Sequence, residues 1–121
     1  MLDHIIITVS DYEASKKFYL AALEPLGYAM IMEFGPAGGF GVGGKPDFWI
    51  KEGDALTPAM HIAFGSEDRP TVDRFYRAAM SAGGKNNGPP GLRPDYHLNY
   101  YGAFVFDPDG NNIEAVCHAE V

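Results

Sequence analysis

The chain has 121 residues, enough for one domain with a hydrophobic core and too short for two domains of ordinary size. Its formal net charge of −7 argues against a nucleic-acid or anionic-membrane partner, because both attract a positively charged protein surface. The apolar stretches are too short to cross a bilayer and the N-terminus lacks the basic residues of a signal peptide, so we expect a cytoplasmic protein.

An internal repeat is visible when the sequence is compared with itself at a shift of 57 residues. Eight of the 25 positions from His4 to Tyr28 are identical without a gap, where about one or two identities are expected by chance. The identical pairs are His4/His61, Ile5/Ile62, Asp11/Asp68, Phe18/Phe75, Tyr19/Tyr76, Ala21/Ala78, Ala22/Ala79 and Gly27/Gly84. We therefore expect a single domain over 1–121 that consists of two related modules, at about 1–53 and about 58–121.

The first module begins with a predicted strand at 2–9, which is rich in β-branched residues. Asp11 is placed to cap a helix that runs to about Glu24, and Pro25 and Gly27 end it. The helix would bury Ala14, Phe18, Ala21 and Ala22. Three short strands are expected to follow, at about 28–34, 39–43 and 47–51.

The second module repeats this order. We expect a strand at 59–65, a helix at about 69–82 and a Gly/Pro-rich loop at 83–98. Two further strands, at 100–106 and 111–117, are joined by a turn at Asp107-Pro108-Asp109-Gly110. The helix would bury Val72, Phe75, Tyr76 and Ala79. The prediction is an α+β fold of two βαβββ modules in tandem, which form one curled, cleft-bearing mixed sheet.

Three side chains are candidates for a metal site. His4 and His61 are repeat equivalents on the first strand of each module, so their imidazoles are expected to point to one place if the module axis passes between the strands. Glu114 lies midway along an apolar strand, where a charged carboxylate needs a partner. Two histidines and one carboxylate suit Fe, Zn, Ni, Mn or Co and leave positions open for substrate. The alternative is that each histidine is an ordinary core or surface residue.

The chain resembles a known superfamily in its Leu2-Asp3-His4-Ile5 start, its Phe18-Tyr19 helix pair and its segment from Asp107 to Glu114, which reads Asp-Pro-Asp-Gly-Asn-Asn-Ile-Glu. These motifs are similar to those of the glyoxalase/bleomycin-resistance/dioxygenase group, the vicinal oxygen chelate superfamily. The resemblance covers nearly the whole chain. It is strongest to short glyoxalase-like proteins of bacteria, and it implies a divalent-metal cofactor and a homodimer.

The resemblance also implies where metal ligands lie, on the first, fourth, fifth and eighth strands. His4 matches the first position, His61 the fifth and Glu114 the eighth. The fourth falls at Trp49 or Phe48, where glyoxalase I-type members have a carboxylate or a similar ligand. The chain is thus more similar to three-ligand members, the extradiol dioxygenases and fosfomycin-modifying transferases, and this departure counts against lactoylglutathione lyase activity.

Residues 88–101 form an insertion that is rich in polar aromatic side chains and that we interpret as a substrate lid, with a packed surface loop or a dimer contact as the alternatives. His97 is a candidate general base or further ligand, and Arg93 could pair with a substrate carboxylate or phosphate. Trp49 is either a core residue or a wall of the cleft. The predicted substrate-binding residues are Trp49, Arg93, Tyr96, Tyr100 and Tyr101.

Three functions remain open from the sequence. The first is a metal-dependent enzyme that acts on a small oxygen-bearing substrate, by isomerase-lyase, extradiol dioxygenase or group-transfer chemistry, with Glu114 and His97 as catalytic candidates. The second is a metal-free protein that binds and sequesters a small, antibiotic-like molecule. The third is a domain that keeps the three ligands without activity. The cleft could form within one chain or between two chains that exchange modules.

Overall fold

A computed structural model describes residues 1–120 of the chain. The first module contains β1 (Ile5–Val9), α1 (Tyr12–Leu23), a 3-10 turn (Glu24–Leu26), β2 (Ala29–Phe34), β3 (Ala37–Val42) and β4 (Lys45–Glu52). The second contains β5 (His61–Ser66), α2 (Arg69–Ser81), β6 (Lys85–Leu92), β7 (Tyr101–Phe106) and β8 (Asn112–Cys117). The predicted α+β class and the two βαβββ modules are confirmed.

The strands form two separate four-stranded mixed sheets, so the single curled sheet that we expected is divided at the module boundary. The strand orders are β1-β4-β3-β2 and β5-β8-β7-β6. Each first strand pairs in parallel with the last strand of its own module, and no ladder among residues 1–120 joins β1 to β5. Both strands are therefore sheet edges, and the modules are held together by side chains.

The core lies between the sheets and the two helices and is continuous across the modules. Side chains alternate along each strand, so one face of each sheet packs on the helices, while the other face includes both exposed positions, such as Ile6, and buried ones, such as Glu114 and Phe104. The ring of Phe64 in β5 makes edge contacts with Tyr28 and Phe48 of the first module, at centroid distances of 5.4 and 5.6 Å. Neither helix within residues 1–120 has the length and apolar character needed to span a bilayer.

Both helices begin after an aspartate cap, which is the predicted Asp11 in α1 and its repeat equivalent Asp68 in α2. Asp11 accepts a hydrogen bond from the backbone N–H of Ala14, and Asp68 accepts one from Thr71 at 2.8 Å. These bonds satisfy backbone donors that the first helical turn leaves unpaired. The hydrogen bonds from Thr71 also hold the pKa of Asp68 below its usual value.

Asp68→Ala is therefore expected to lower the melting temperature by a few degrees at pH 7. Because the folded-state pKa is depressed, this stabilisation is present above the unfolded pKa and is lost as the pH falls through the folded value. Thermal unfolding of the wild type and the variant between pH 7 and pH 3 should show the difference shrinking. Asp68→Asn, which caps without a charge, should remove this pH dependence, and an unchanged difference at low pH would contradict the assignment.

The prediction of a Gly/Pro-rich loop at 83–98 is wrong over half of that segment, because β6 occupies Lys85–Leu92. β6 is the outer strand of its sheet and pairs only with β7, with register shifts around Gly88. Proline lacks a backbone N–H and is tolerated at such edges and irregularities, so Pro89 and Pro90 fit there. The composition indicated a loop where the fold has an interrupted edge strand.

The predicted Asp107–Gly110 turn is present, and it also links the modules. The buried Asp107 carboxylate accepts hydrogen bonds from the Tyr19 hydroxyl of α1, from the Asn111 backbone and side chain at 2.8 Å each, and from the Asp109 backbone at 3.0 Å. The hydroxyl of Ser10 in the first module donates to Asp109 at 2.6 Å. The turn therefore fixes the start of β8 against the first helix.

Candidate metal and substrate site

The centre of the candidate site is a histidine–carboxylate pair on the outer face of the second sheet. His61 lies at the start of β5, and Glu114 lies in the parallel neighbour β8, where it is opposite Ala63. The two side chains meet with His61 Nε2 2.6 Å from Glu114 Oε1. Glu114 is fully buried, whereas 54% of the His61 side chain is exposed. One nitrogen and one oxygen therefore converge at a place that can be reached from outside.

Tyr100 occupies the other oxygen of the same carboxylate. Its hydroxyl donates a hydrogen bond to Glu114 Oε2. Burial and the hydrogen bond to Glu114 raise the pKa of Tyr100, so the hydroxyl stays protonated near neutral pH and acts as a donor. Gly102 leaves space for this contact, since a Cβ there would lie 3.3 Å from Glu114 Oε2 and 3.1 Å from the Tyr100 ring. Tyr100 was predicted to bind substrate, and in this structure it orients the carboxylate.

Asn112, which is next to His61 in the strand register, has a side-chain oxygen without a hydrogen-bond partner. It lies two residues before Glu114 on the same face of β8, and it is the register partner of His61. Its Oδ1 atom is buried, and no hydrogen-bond donor reaches it among residues 1–120. A buried acceptor usually has a partner, so this oxygen is consistent with a position that a cation or a substrate hydroxyl would complete.

His4, the third predicted ligand, makes no hydrogen bond to His61 or Glu114 within one chain and is paired with Asp3 instead. Its Nδ1 atom is 2.7 Å from Asp3 Oδ1, and Lys45 contacts the other oxygen of Asp3, also at 2.7 Å. The Lys45 contact is the main reason that the pKa of Asp3 falls to about 2. Across residues 1–120, no three His, Cys, Asp or Glu side chains come together in a way that could hold a metal ion.

Trp49 occupies the position in the first module that is equivalent to the position of Glu114 in the second. Trp49 is the register partner of Ile6 in β1, and Glu114 is the register partner of Ala63 in β5; Ile6 and Ala63 are 57 residues apart, which is the repeat shift. The indole is half-buried on the outer face of the first sheet, stacked on Phe34 with ring centroids 6.3 Å apart. Of the two interpretations, a wall of an open face fits this placement and a core position does not.

The segment after β6 brings some of the predicted residues to the site and leaves others away from it. Tyr96 is exposed, and its ring packs edge-on against Tyr100 at 5.1 Å. His97 is exposed and lies beside His118, with ring centroids 5.9 Å apart and no hydrogen bond to Glu114. Tyr101 points to the helix side of the sheet, where its hydroxyl donates to Asp73 of α2 at 2.6 Å.

Phe104 is a site residue that the sequence analysis did not identify. It is the register partner of Glu114, it is only 8% exposed, and its ring centroid is 6.1 Å from that of His61. It forms an apolar floor beside the histidine–carboxylate pair. The available signal was the strand period of two, since Phe104 is four residues after Tyr100 and therefore shares its face of the sheet.

A family model described as the glyoxalase/bleomycin resistance protein/dioxygenase superfamily matches residues 1–115. The chain belongs to this superfamily, as its paired βαβββ modules and its histidine–carboxylate pair on an open sheet face had indicated. No curated protein matches the chain.

Solved structures agree with this assignment. The chain is similar to a glyoxalase/bleomycin resistance protein from Albidiferax ferrireducens, with a TM-score of 0.82, 28% identity, and coverage of 97% of this chain and 98% of the other. A glyoxalase-related enzyme from Fulvimarina pelagi has a TM-score of 0.75 and 20% identity, with 97% and 87% coverage. The fosfomycin resistance protein FosX from Mesorhizobium loti has a TM-score of 0.73 and 20% identity, with 98% and 92% coverage. The last two likenesses establish the fold alone.

Proposed function

We propose that this protein is a metal-dependent enzyme of the glyoxalase/dioxygenase type that acts on a small substrate with neighbouring oxygen atoms. The observation that carries the proposal is the convergence of His61 Nε2 and the buried Glu114 Oε1, 2.6 Å apart, on an accessible face. A fully buried carboxylate beside an imidazole is a donor set that a divalent cation prefers. The unpartnered Oδ1 of Asn112 supports the same fit.

The chain's own residues prepare this site for one orientation of substrate. Tyr100 holds one carboxylate oxygen, so that the other is presented toward His61. Phe104 excludes water from one side, and Tyr96 can cover the opening from the loop. A bound divalent cation would supply Lewis acidity, which polarises substrate oxygens and stabilises negative charge that develops on them. The proposed site does not include His97 or Tyr101, because neither reaches the pair.

We further propose that His4 completes the metal site from a second copy of the chain. The outer face of the first sheet exposes Ile6, Met32 and Phe34, and the segment after β6 exposes Tyr96 and Leu98. A two-fold dimer that packs the first sheet of each copy on the second sheet of its partner would bury these apolar side chains. It would also place His4 of one copy opposite the His61–Glu114 pair of the other. Of the two cleft arrangements left open by the sequence, we favour this one because His4 does not join the His61–Glu114 pair within residues 1–120 of one chain.

Elemental analysis of the purified protein tests the metal site. The wild type is expected to hold close to one equivalent of Fe, Zn, Ni, Mn or Co per chain, and His61→Ala is expected to lose it. His97→Ala is the matched control, because His97 is exposed, lies outside the proposed site and should keep the wild-type metal content. The absence of metal after reconstitution with each ion would refute the proposal. The metal found would separate the reaction types, with iron favouring dioxygenase and nickel or zinc favouring lyase or isomerase chemistry.

Mixing two inactive variants tests whether the site is shared between copies. His4→Ala and His61→Ala should each bind no metal alone. When the two are unfolded and refolded together in equal amounts, half of the dimers contain one chain of each kind, and each of these has one intact site, which gives about a quarter of an equivalent per chain. A site formed within one chain would give no recovery, because every site would then lack one histidine.

A second candidate function is metal-free binding of a small, antibiotic-like molecule between the sheets. The observation in its favour is that His61 and Tyr100 already occupy both oxygens of Glu114, so the buried carboxylate has partners without a cation. Saturable binding of such a molecule by protein from which metal has been removed, without turnover, would favour this function over the first.

A further inference from the structure

Arg93 is a charged side chain that is held in place beside the site. It follows the last residue of β6, and its guanidinium lies over the ring of Phe104, 5.4 Å from the ring centroid. Its Nη2 atom donates to the carbonyl oxygen of Pro89 at 2.7 Å. An arginine that stacks on an aromatic ring and bonds the backbone has lost much of its conformational freedom, so little entropy remains to be lost when it binds a ligand.

The backbone of β6 is shaped around this guanidinium. A Cβ at Gly88 would come within 3.2 Å of Arg93 Nη2, and a Cβ at Gly91 would come within 3.0 Å of Nη1. Both distances are shorter than ordinary van der Waals contacts, so larger residues at these positions would push the guanidinium away. The two glycines therefore act together with Phe104 to fix the position of the charge.

Arg93 has no acidic partner among residues 1–120. The ion pairs in this part of the chain involve His4, Lys16, Lys45 and His61, although acidic residues outnumber lysine and arginine by 16 to 9. The guanidinium carries five N–H donors, and the carbonyl oxygens of Pro89 and Leu92 accept from only two of its nitrogens. A half-buried cation with spare donors in an acidic protein is suited to bind an anion from solution.

Phe104 connects this cation to the candidate metal site. The same ring that supports Arg93 is 6.1 Å from the His61 ring, and Phe104 is the register partner of Glu114. We propose that Arg93 binds an oxyanion group of the substrate, a carboxylate or a phosphonate, while the other end of the substrate reaches the His61–Glu114 pair. The substrate class is then a small organic anion with a second oxygen-bearing group, and this inference rests on the proposed function for that second contact.

The test is an NMR titration of uniformly 15N-labelled protein with benzoate, phenylphosphonate and benzamide, with and without EDTA. Benzamide has the size of benzoate without its charge. Benzoate or phenylphosphonate should bind saturably and shift the Arg93 side-chain signal, and benzamide should bind about tenfold more weakly, which corresponds to the loss of a charge-assisted hydrogen bond. Arg93→Gln should bind all three alike. Arg77→Gln removes the same charge from an exposed site on α2 and should behave as the wild type.

The two anions distinguish a carboxylate site from a phosphonate site. Equal binding of benzamide and the anions by the wild type, no binding of any probe, or an anion preference that survives in Arg93→Gln would each overturn the proposal. An anion preference that disappears when EDTA is added would assign the anion to a metal ion and would also overturn it. An anion preference that persists in EDTA supports anion binding by Arg93 even if the protein proves to hold no metal. The proposal for Arg93 and the proposal of a metal site can therefore fail separately.

Discussion

Glu114→Gln is expected to lower the affinity for a divalent cation by more than about 100-fold, since loss of a ligand should exceed the 10- to 100-fold effect of losing an outer-shell partner. Glutamine has nearly the same shape; its oxygen can accept from Tyr100 and its amide can donate to Nε2 of a neutral His61, so the chain should stay folded. What is removed is the negative charge that a cation requires at a fully buried position. Competition with a chromophoric chelator, together with a thermal melt, measures both effects.

The matched control for this substitution is Glu67→Gln, which removes the same charge from an exposed position after β5. It should leave the metal affinity unchanged. If Glu114→Gln bound the cation as tightly as the wild type, the carboxylate would have only the structural role that its bonds to His61 and Tyr100 provide, and any metal site would lie elsewhere.

Asp107→Ala is expected to lower the free energy of unfolding by about 3–5 kcal/mol, because it leaves several buried donors without a partner at a cost of about 1–3 kcal/mol each. The carboxylate is almost fully buried and accepts from Tyr19, Asp109 and twice from Asn111. Alanine would leave these donors without a partner inside the core. Urea denaturation followed by circular dichroism gives the change directly.

Asp109→Ala in the same turn is the comparison. Asp109 contacts the backbone and hydroxyl of Ser10 in an exposed setting, so its removal should cost about 1 kcal/mol or less. A loss below about 1 kcal/mol for Asp107→Ala, or equal losses for the two variants, would show that the network does not hold the modules together. The expected difference in unfolding free energy would show that much of the Asp-Pro-Asp-Gly-Asn motif serves the stability of the fold and not the chemistry of the site.

Most of the correct predictions about the fold came from the internal repeat. The 57-residue shift paired Asp11 with Asp68, and both are helix caps in the structure. Phe18 and Phe75, paired by the same shift, are both fully buried. Such features depend on local sequence and on which face of an element is apolar, and a single chain reports both.

The relation between the two sheets could not be predicted in the same way. The repeat showed that His4 and His61 are equivalent within their modules, but equivalence does not say how far apart two modules lie. That distance is set by packing between modules, such as the contacts of Phe64 with Tyr28 and Phe48, which leave no mark in a periodic pattern. The strand β6 was missed for a different reason, since an irregular edge strand has the composition of a loop.

The alternation of strand faces explains the mixed outcome near Tyr100. Both Tyr100 and Tyr101 were predicted to bind substrate, but neighbouring residues in extended chain point to opposite faces. Tyr100 reaches Glu114, and Tyr101 reaches Asp73 on α2. If the alternation of faces had been followed from Glu114 in β8 to the neighbouring strand β7, Phe104 would have been assigned to the face of Glu114. Tyr101 would have been assigned to the opposite face and excluded from the site.

The two prolines of β6 have a consequence for self-assembly of the chain. An open sheet edge offers a row of N–H and C=O groups onto which a strand from another molecule can add, and this is a common route to aggregation. Pro89 and Pro90 lack N–H groups, so the row of outward donors is interrupted in the middle of the outer strand of the second sheet. β2, the outer strand of the first sheet, spans Ala29–Phe34 without a proline. Of these two outer edges, β2 should therefore accept an added strand more readily, and the edge at β6 should resist extension.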